Sequence, residues 1–315
     1  MNLILGVKSM YLSLMAQETE LDFSSLEACI RALYAARWPE GFRCPYCEHS
    51  HAYEINTRKL PLYQCSLCER QTSLIAGTVM EGSHTDLRKW MQTMQLVAHA
   101  SPGISALQLS QIIGVTYKTA WLMLHKLRAA IDSFNGREEP LQGHVQINSA
   151  FYGKPYGSVI HEHPQRQPLL IGASIDMLGV PTRIQIMHIP KHHMNGTTVR
   201  GSGVQAFIRI HVDPVALRVE CNTAHFSSRR FRSLLAVAAQ ASQWMNLTFH
   251  GIGPKYLQRY LEEYIYRYNM TAKQLPVWSN LIRLCASSPR TTYSALTGNR
   301  SGSSSKAYYR DNLAS

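Results

Sequence analysis

The chain has 315 residues, of which 45% are hydrophobic and 17% are charged, and this balance excludes an intrinsically disordered protein. The 32 Lys and Arg residues against 20 Asp and Glu residues give a net charge of +12, which favours a polyanionic partner such as DNA or RNA; a generally basic protein without such a partner is the alternative. No run approaches the ~18 apolar residues that a membrane span needs. We therefore expect a protein without a membrane partner, located in the cytoplasm or at the nucleoid.

The first predicted unit is a helical segment over residues 1–40, with helical spacing of apolar residues over 21–37. Two CxxC pairs follow, formed by four cysteines: Cys44, Cys47, Cys65 and Cys68. This spacing is typical of a structural zinc site, in which four thiolates close a tetrahedron. The residues between the pairs alternate as in a β-hairpin, which predicts a zinc ribbon over 41–75. Two disulfides, or four buried thiols without a metal, are the alternatives.

A small helical domain is predicted over residues 76–135. A helix at about 85–98 precedes two helices at 104–111 and 117–130, which are joined by a turn at Gly114 and Val115. Thr116 is the expected N-cap of the second helix. This arrangement predicts a helix-turn-helix, with an ordinary helical hairpin as the alternative.

The second helix of this pair carries the candidate DNA-binding residues. Its start is expected to expose Tyr117, Lys118 and Thr119, at the position from which a recognition helix reaches base edges. Lys126 and Arg128 lie farther along and are expected to contact phosphates. A basic face that is only solvated is the alternative.

After a linker at 136–143, the pattern changes to strands at 145–148, 169–175 and 183–189, followed by a short helix, a fourth strand at 217–221 and two helices. This order predicts an α+β or α/β domain with a mixed sheet over 144–270. Residues 271–315 include a stretch rich in Ser, Thr, Gly and Arg, and we expect a basic, disordered tail that adds weak phosphate contacts.

Five segments together resemble bacterial insertion-sequence transposases with an N-terminal zinc ribbon. They are residues 37–47 and 64–73 around the cysteines, 76–79 just after the ribbon, 117–128 on the second helix, and 250–269 on the last helix of the sheet domain. The resemblance implies a ribonuclease-H-like catalytic domain of the DDE class, where carboxylates hold two Mg²⁺ ions for DNA strand cleavage and transfer. It also implies binding to transposon ends and assembly into homo-oligomers.

The chain departs from this family where the catalytic carboxylates should be. The resemblance places them at the end of the first strand, at the end of the fourth strand and on the following helix, at positions that here hold Asn148, Asn222 and Gln240. These amides keep the shape of the acids and lose the charge that Mg²⁺ needs. The sequence thus predicts no intact catalytic residue, with Mg²⁺ bound only if the protein is active.

Other acids of the sheet domain are candidate substitutes for the missing carboxylates. Asp176 and Asp213 have the sequence context of turns, while Glu262 and Glu263 are expected on the surface of the last helix of this domain. A histidine group that includes His188, His192 and His193 is a weaker metal candidate, since such spacing is common among exposed histidines. The sequence favours a DNA-binding member of the transposase family that is inactive in strand transfer. An active transposase with its metal ligands elsewhere, and a zinc-ribbon transcription regulator, remain alternatives.

Overall fold

The computed structural model describes residues 25–153, 166–223 and 230–298. The predicted helix start at 21–24 and the part of the predicted tail at 299–315 lie outside these ranges. No helix in the described part of the chain is long and apolar enough to cross a membrane.

The N-terminal part contains one helix and a small antiparallel sheet. Helix α1 spans Leu26–Arg37, and strands β1 (Ala52–Ile55), β2 (Leu62–Cys65) and β3 (Gln71–Ser73) form the order β1-β2-β3. The predicted hairpin is confirmed by β1 and β2. Strand β3 is an addition that the sequence pattern did not reveal; it pairs with β2 from Leu62 opposite Ser73.

Three helices follow: α2 (Leu87–His99), α3 (Ala106–Ile113) and α4 (Tyr117–Asn135). Gly114 ends α3 with a φ of 61°, a left-handed conformation that glycine adopts without strain. The predicted cap of α4 is confirmed, because the backbone N–H of Thr119 donates to Thr116 Oγ1 at 3.2 Å. Helices α3 and α4 are therefore a closely connected pair.

The second part of the chain is a mixed sheet with helices on both faces. Its elements are β4 (His144–Tyr152), β5 (Gln167–Ile175), β6 (Pro181–His188), the short pair β7 (Met194–Asn195) and β8 (Thr198–Val199), α5 (Gly201–His211), β9 (Arg218–Asn222), α6 (Arg232–Phe249) and α7 (Leu257–Ala272). The four main strands have the order β6-β5-β4-β9. Strands β4, β5 and β6 are antiparallel neighbours, whereas β4 and β9 are parallel.

Alternation along the strands separates the two faces of this sheet. Val145 and Ile147 pack with Phe207 of α5 on one face. Ile171 and Ile184 pack on the other face with residues of α6 and α7. The sheet is therefore the middle layer of three.

The end of the described chain corrects the prediction of a disordered tail from residue 271. Residues 277–297 contain two further helices, α8 (Val277–Ser287) and α9 (Tyr293–Thr297). Helix α8 buries Trp278, Leu281 and Cys285 in the same core as α1, α2 and α4. The reason lies in helical spacing at i, i+3 and i+7, which gives α8 one apolar face. The N-terminal core is thus completed by residues from the other end of the chain.

Candidate metal centre and asparagine pair

The four predicted zinc ligands converge. One sulfur from each of Cys44, Cys47, Cys65 and Cys68 lies within 4.8 Å of the others. The Sγ atoms of Cys44 and Cys68 are 3.6 Å apart, as are those of Cys47 and Cys65. Sulfurs placed about 2.3 Å from a tetrahedral Zn²⁺ are about 3.8 Å from one another. The cysteines therefore fit a structural zinc site with no open position.

Both cysteine pairs have the same local backbone. Glu48 follows the first pair and Glu69 follows the second, each with a positive φ near 60°. Their N–H groups donate to the carbonyls of Cys44 and Cys65 at 2.9 Å and 3.0 Å. Each CxxC segment is thereby folded into a tight turn that points both of its sulfurs inward.

The surroundings of Cys65 favour a thiolate. Backbone N–H groups of Cys68 and Leu67 lower the pKa of Cys65 to about 7, and the N–H of Leu67 lies 3.4 Å from its sulfur. A thiolate is the form that binds zinc. The two-disulfide alternative is not supported, since the cysteine sulfurs are 3.6 Å apart rather than bonded at about 2.05 Å.

An aromatic cluster joins the cysteine centre to α1. The Trp38 ring lies 5.0 Å from Phe42 and 5.2 Å from Tyr63, both edge-to-face, and Tyr34 of α1 lies 5.1 Å from Trp38. Because Tyr63 is on β2, two residues before Cys65, this cluster fixes the ribbon against the helical core.

The start of α4 presents the three residues that the sequence predicts there. Tyr117 is 57% exposed, Lys118 is exposed and Thr119 is half-buried. Sequence reasoning missed a neighbour: Lys118 Nζ lies 5.4 Å from the centre of the Tyr293 ring, on α9. No sequence pattern predicts a contact between Lys118 and Tyr293, because they are far apart in the sequence. Contact of this surface with bases stays a prediction.

The assignment of Lys126 and Arg128 to phosphate contacts is corrected by their burial. Lys126 is 7% exposed, and its Nζ donates to the Val79 carbonyl at 3.2 Å. Arg128 is 2% exposed; its Nε donates to Glu263 Oε2 at 2.6 Å and its guanidinium lies 3.9 Å from the centre of the Tyr260 ring. Neither side chain is available to DNA, because α7 and the segment before α2 cover this face of α4.

Glu262 and Glu263 are likewise not on the surface. Glu263 is the buried partner of Arg128, and Glu262 accepts hydrogen bonds from Asn135 Nδ2 at 2.7 Å and Gln258 Nε2 at 2.6 Å. Burial, with a smaller effect of Asp132, raises the pKa of Glu262 to about 8. Both acids therefore hold α4 against α7 from within the core.

Asn148 and Asn222 lie side by side on the two parallel strands. They are opposite each other in register, Asn222 at the last residue of β9 and Asn148 in the middle of β4, which continues to Tyr152 beyond the strand end predicted at 148. Asn222 Nδ2 donates to Asn148 Oδ1 at 2.7 Å, and Asn148 Nδ2 donates to the Ser149 carbonyl at 3.2 Å. Both are nearly buried, with 2% and 8% exposure. The structure thus brings together the first two of the three predicted positions.

The third position does not complete this pair. Gln240 is exposed on α6, whereas the sheet-facing side of α6 carries residues such as Ala241 and Met245. Asp176 and Asp213 are turn residues as predicted, because each Oδ1 accepts a backbone N–H from two residues ahead. A pair of neutral amides joined by one hydrogen bond lacks the negative charge that two Mg²⁺ ions need.

Glu262 cannot replace the missing charge. Its partner Gln258 donates to the Ile186 carbonyl of β6, at the opposite edge of the sheet from β9. The histidine alternative is weakened as well. His188 Nε2 bonds with Gln167 Oε1 at 3.1 Å and His193 Nδ1 with Ser202 Oγ at 2.9 Å. Among the residues that the structure describes, the cysteines are the one group of three or more suited to a metal.

Comparison with known proteins agrees with the cysteine centre. Residues 24–71 match the transposase zinc-ribbon domain family. A separate match is an uncharacterized protein in the transposable element ISH50 of Halobacterium salinarum, with 30% identity over 133 residues. That alignment covers 42% of this chain and 43% of the relative. No solved structure matches the chain. The N-terminal part of the chain thus matches the transposase zinc-ribbon domain, and 133 residues of the chain are similar to a protein of a transposable element, of which they cover less than half.

Proposed function

We propose that this chain is a DNA-binding protein of the insertion-sequence transposase family that has lost strand-transfer activity. Its DNA partner would be transposon ends, bound through the zinc ribbon and the α3–α4 pair acting as a helix-turn-helix. Its sheet domain would be ribonuclease-H-like, which is supported by three antiparallel strands followed by a fourth strand parallel to the first. A coupled zinc ribbon and helix pair in a chain with a net charge of +12 favour this proposal over a regulator without transposase ancestry.

The observation that carries the inactive assignment is the pairing of Asn148 with Asn222. In a two-metal enzyme, carboxylates at adjacent strand ends repel each other until divalent ions neutralise them. Here the two side chains need no ion, since one amide donates to the other at 2.7 Å. The two side chains are therefore held together without a metal ion.

A cleavage assay tests this assignment. Purified protein is incubated with transposon-end DNA and Mg²⁺ or Mn²⁺, and we expect no strand cleavage or joining. Cleavage by the unmodified chain would show that active metal ligands lie elsewhere.

The Asn148→Asp, Asn222→Asp double variant tests the geometry of the pair. Two carboxylates at this separation should lower the melting temperature at pH 7, because like charges are held together in a buried place. Mn²⁺ should restore the melting temperature of the double variant and leave that of the unmodified protein unchanged. Each single variant, with one carboxylate beside one amide, is the matched control. If Mn²⁺ does not change the melting temperature of the double variant, these positions are not a former metal site.

DNA binding is tested at the start of α4. Lys118→Ala should weaken binding and reduce the slope of log affinity against log salt by roughly one unit, because one positive charge is lost from the surface that would face DNA. Lys191→Ala removes the same charge from an exposed site near the end of β6 and should leave binding nearly unchanged. Equal effects of both substitutions would mean that only the overall charge attracts DNA.

A further inference from the structure

Strand β9 lies at the edge of the four-stranded sheet with β4 on one side. In the part of the chain that the structure describes, no strand pairs with its other side. The N–H of Arg218 donates toward β4, to the Gly143 carbonyl at 3.3 Å. Since backbone groups alternate in direction along a strand, the N–H and C=O groups of Val219 and Cys221 point outward. Within the described residues, the edge thus offers backbone donors and acceptors that no second strand pairs with.

The side chains of this edge are unusually apolar for an open strand. Leu217 is 90% exposed, Val219 is 40% exposed, and Val215 just ahead of the strand is 81% exposed. Edge strands are commonly protected by charges or proline when they are not meant to pair. Arg218 and Glu220 are the charged residues of β9, and they form an ion pair with each other.

We propose that β9 pairs antiparallel with β9 of a second copy of this chain, about a two-fold axis at Val219. In an antiparallel pair, a residue whose backbone groups point outward must lie opposite another such residue. The two-fold axis can therefore pass through Val219, through Arg218 or through Glu220. An axis at Arg218 would place arginine opposite arginine, and an axis at Glu220 would place glutamate opposite glutamate. The axis at Val219 places each Arg218 opposite the Glu220 of the other copy.

This register also matches the apolar residues. Leu217 lies opposite Cys221, and Val219 lies opposite itself. Cross-strand pairs of opposite charge and of apolar side chains stabilise antiparallel pairing, while like charges destabilise it. A five-residue strand pair buries less than the ~1,200 Å² of a standard stable interface, so we expect a weak dimer that depends on concentration.

Two charge reversals give a specific test. Arg218→Glu places glutamate opposite glutamate in its own dimer, and Glu220→Arg places arginine opposite arginine. A mixture of the two variants restores opposite charges at both positions. We expect the unmodified protein to dimerise in sedimentation experiments without DNA over about 1 to 200 μM, each variant alone to stay monomeric, and the mixture to dimerise at least about tenfold more tightly than either variant alone.

Two further variants keep the proposal falsifiable if a charge reversal disturbs folding. Val219→Pro removes an outward N–H without removing a bond to β4, and it should abolish dimers while circular dichroism stays unchanged. Val219→Cys in a Cys221→Ser background should form a disulfide between copies, because hydrogen-bonded residue pairs lie ~5.5 Å apart at Cα.

The proposal is overturned by any of three results: an unmodified protein that is monomeric throughout, dimers that survive Val219→Pro, or variants that associate equally well alone and mixed. A monomer would mean that another segment of the chain or another protein covers this edge. These measurements contain no DNA, so their failure is separate from a failure of the proposed function.

Discussion

At the scale of single residues, Arg128 and Glu263 show that a basic residue on a helix of the proposed DNA-binding module can be a buried part of the core. Their charged atoms meet at 2.6 Å, with side chains that are 2% and 1% exposed. Desolvation makes such a pair costly to build, and removal of one partner leaves a buried charge without compensation. Arg128 also lies over Tyr260, which adds a cation–π contact between α4 and α7.

Arg128→Met should therefore reduce the free energy of unfolding by ~3–5 kcal/mol, measured by urea denaturation. The double variant Arg128→Met, Glu263→Gln should recover part of this loss, because the uncompensated charge is removed. If Arg128→Met weakens DNA binding at unchanged stability, the phosphate-contact assignment would be right after all.

Glu262 gives a prediction on pH. Burial raises its pKa in the folded protein to about 8, above its ordinary value of 4.5, so the folded state holds a proton that the unfolded state has lost. Its contribution to stability is fully present below pH 4.5 and is lost as the pH rises from there to about 8.

Glu262→Gln should flatten this dependence. Between pH 5.5 and 8.5, the free energy of unfolding of the unmodified protein should fall more steeply than that of the variant, by at most ~1.4 kcal/mol per pH unit. The cysteines titrate in both proteins, so their effect cancels when the free energy of unfolding of the variant is subtracted from that of the unmodified protein. Parallel curves would mean that Glu262 is ionised in the folded state.

At the scale of elements, local patterns in the sequence predict most helices and strands. Alternation predicted β1, β2, β4, β5 and β6, and the cap at Thr116 predicted the start of α4. The four cysteines could be found because their spacing is set by one metal. Asn222 could be placed because it ends a recognisable strand, whereas the predicted strand end at Asn148 was wrong, since β4 continues to Tyr152. These features depend on neighbours in sequence.

Features that depend on distant partners could not be predicted in this way. The burial of Arg128 requires Glu263, which is 135 positions away. Strand β3 has only three residues, too few for an alternating pattern to stand out. Helix α8 does have an apolar face, but the Ser- and Arg-rich composition around it favoured disorder. The composition of a long segment is an average, so it does not reveal a single amphipathic helix within that segment.

At the scale of the whole molecule, the two ends of the described chain share one core. Cys29 and Leu33 of α1 belong to the same buried cluster as Leu281 of α8, and the Val79 N–H donates to the Cys285 carbonyl at 3.0 Å. Arg267 of α7 donates to the carbonyls of Val97 and Ala100 at the end of α2. Helix α7 therefore packs against the helical part of the molecule as well as against the sheet.

Leu281→Ala tests the role of α8. Leu281 is fully buried, so its truncation should lower the free energy of unfolding by about 2–5 kcal/mol and weaken DNA binding through loss of the folded helical core. Arg283→Ala, at an exposed position of the same helix, should leave both quantities within ~0.5 kcal/mol of the unmodified protein. Equal stabilities of the two variants would contradict the packing of α8.

The return of α8 to the N-terminal core has a consequence for synthesis on the ribosome. The zinc ribbon and helices α1 to α4 are translated first, yet their apolar groove stays open until residues 278–286 have left the exit tunnel. Translation of a truncated transcript that ends within or before the sheet domain would yield a fragment containing the zinc ribbon and the first helices, with the apolar core exposed. Such fragments would be substrates for chaperones and proteases. Only a chain translated through α8 would accumulate as a stable folded protein.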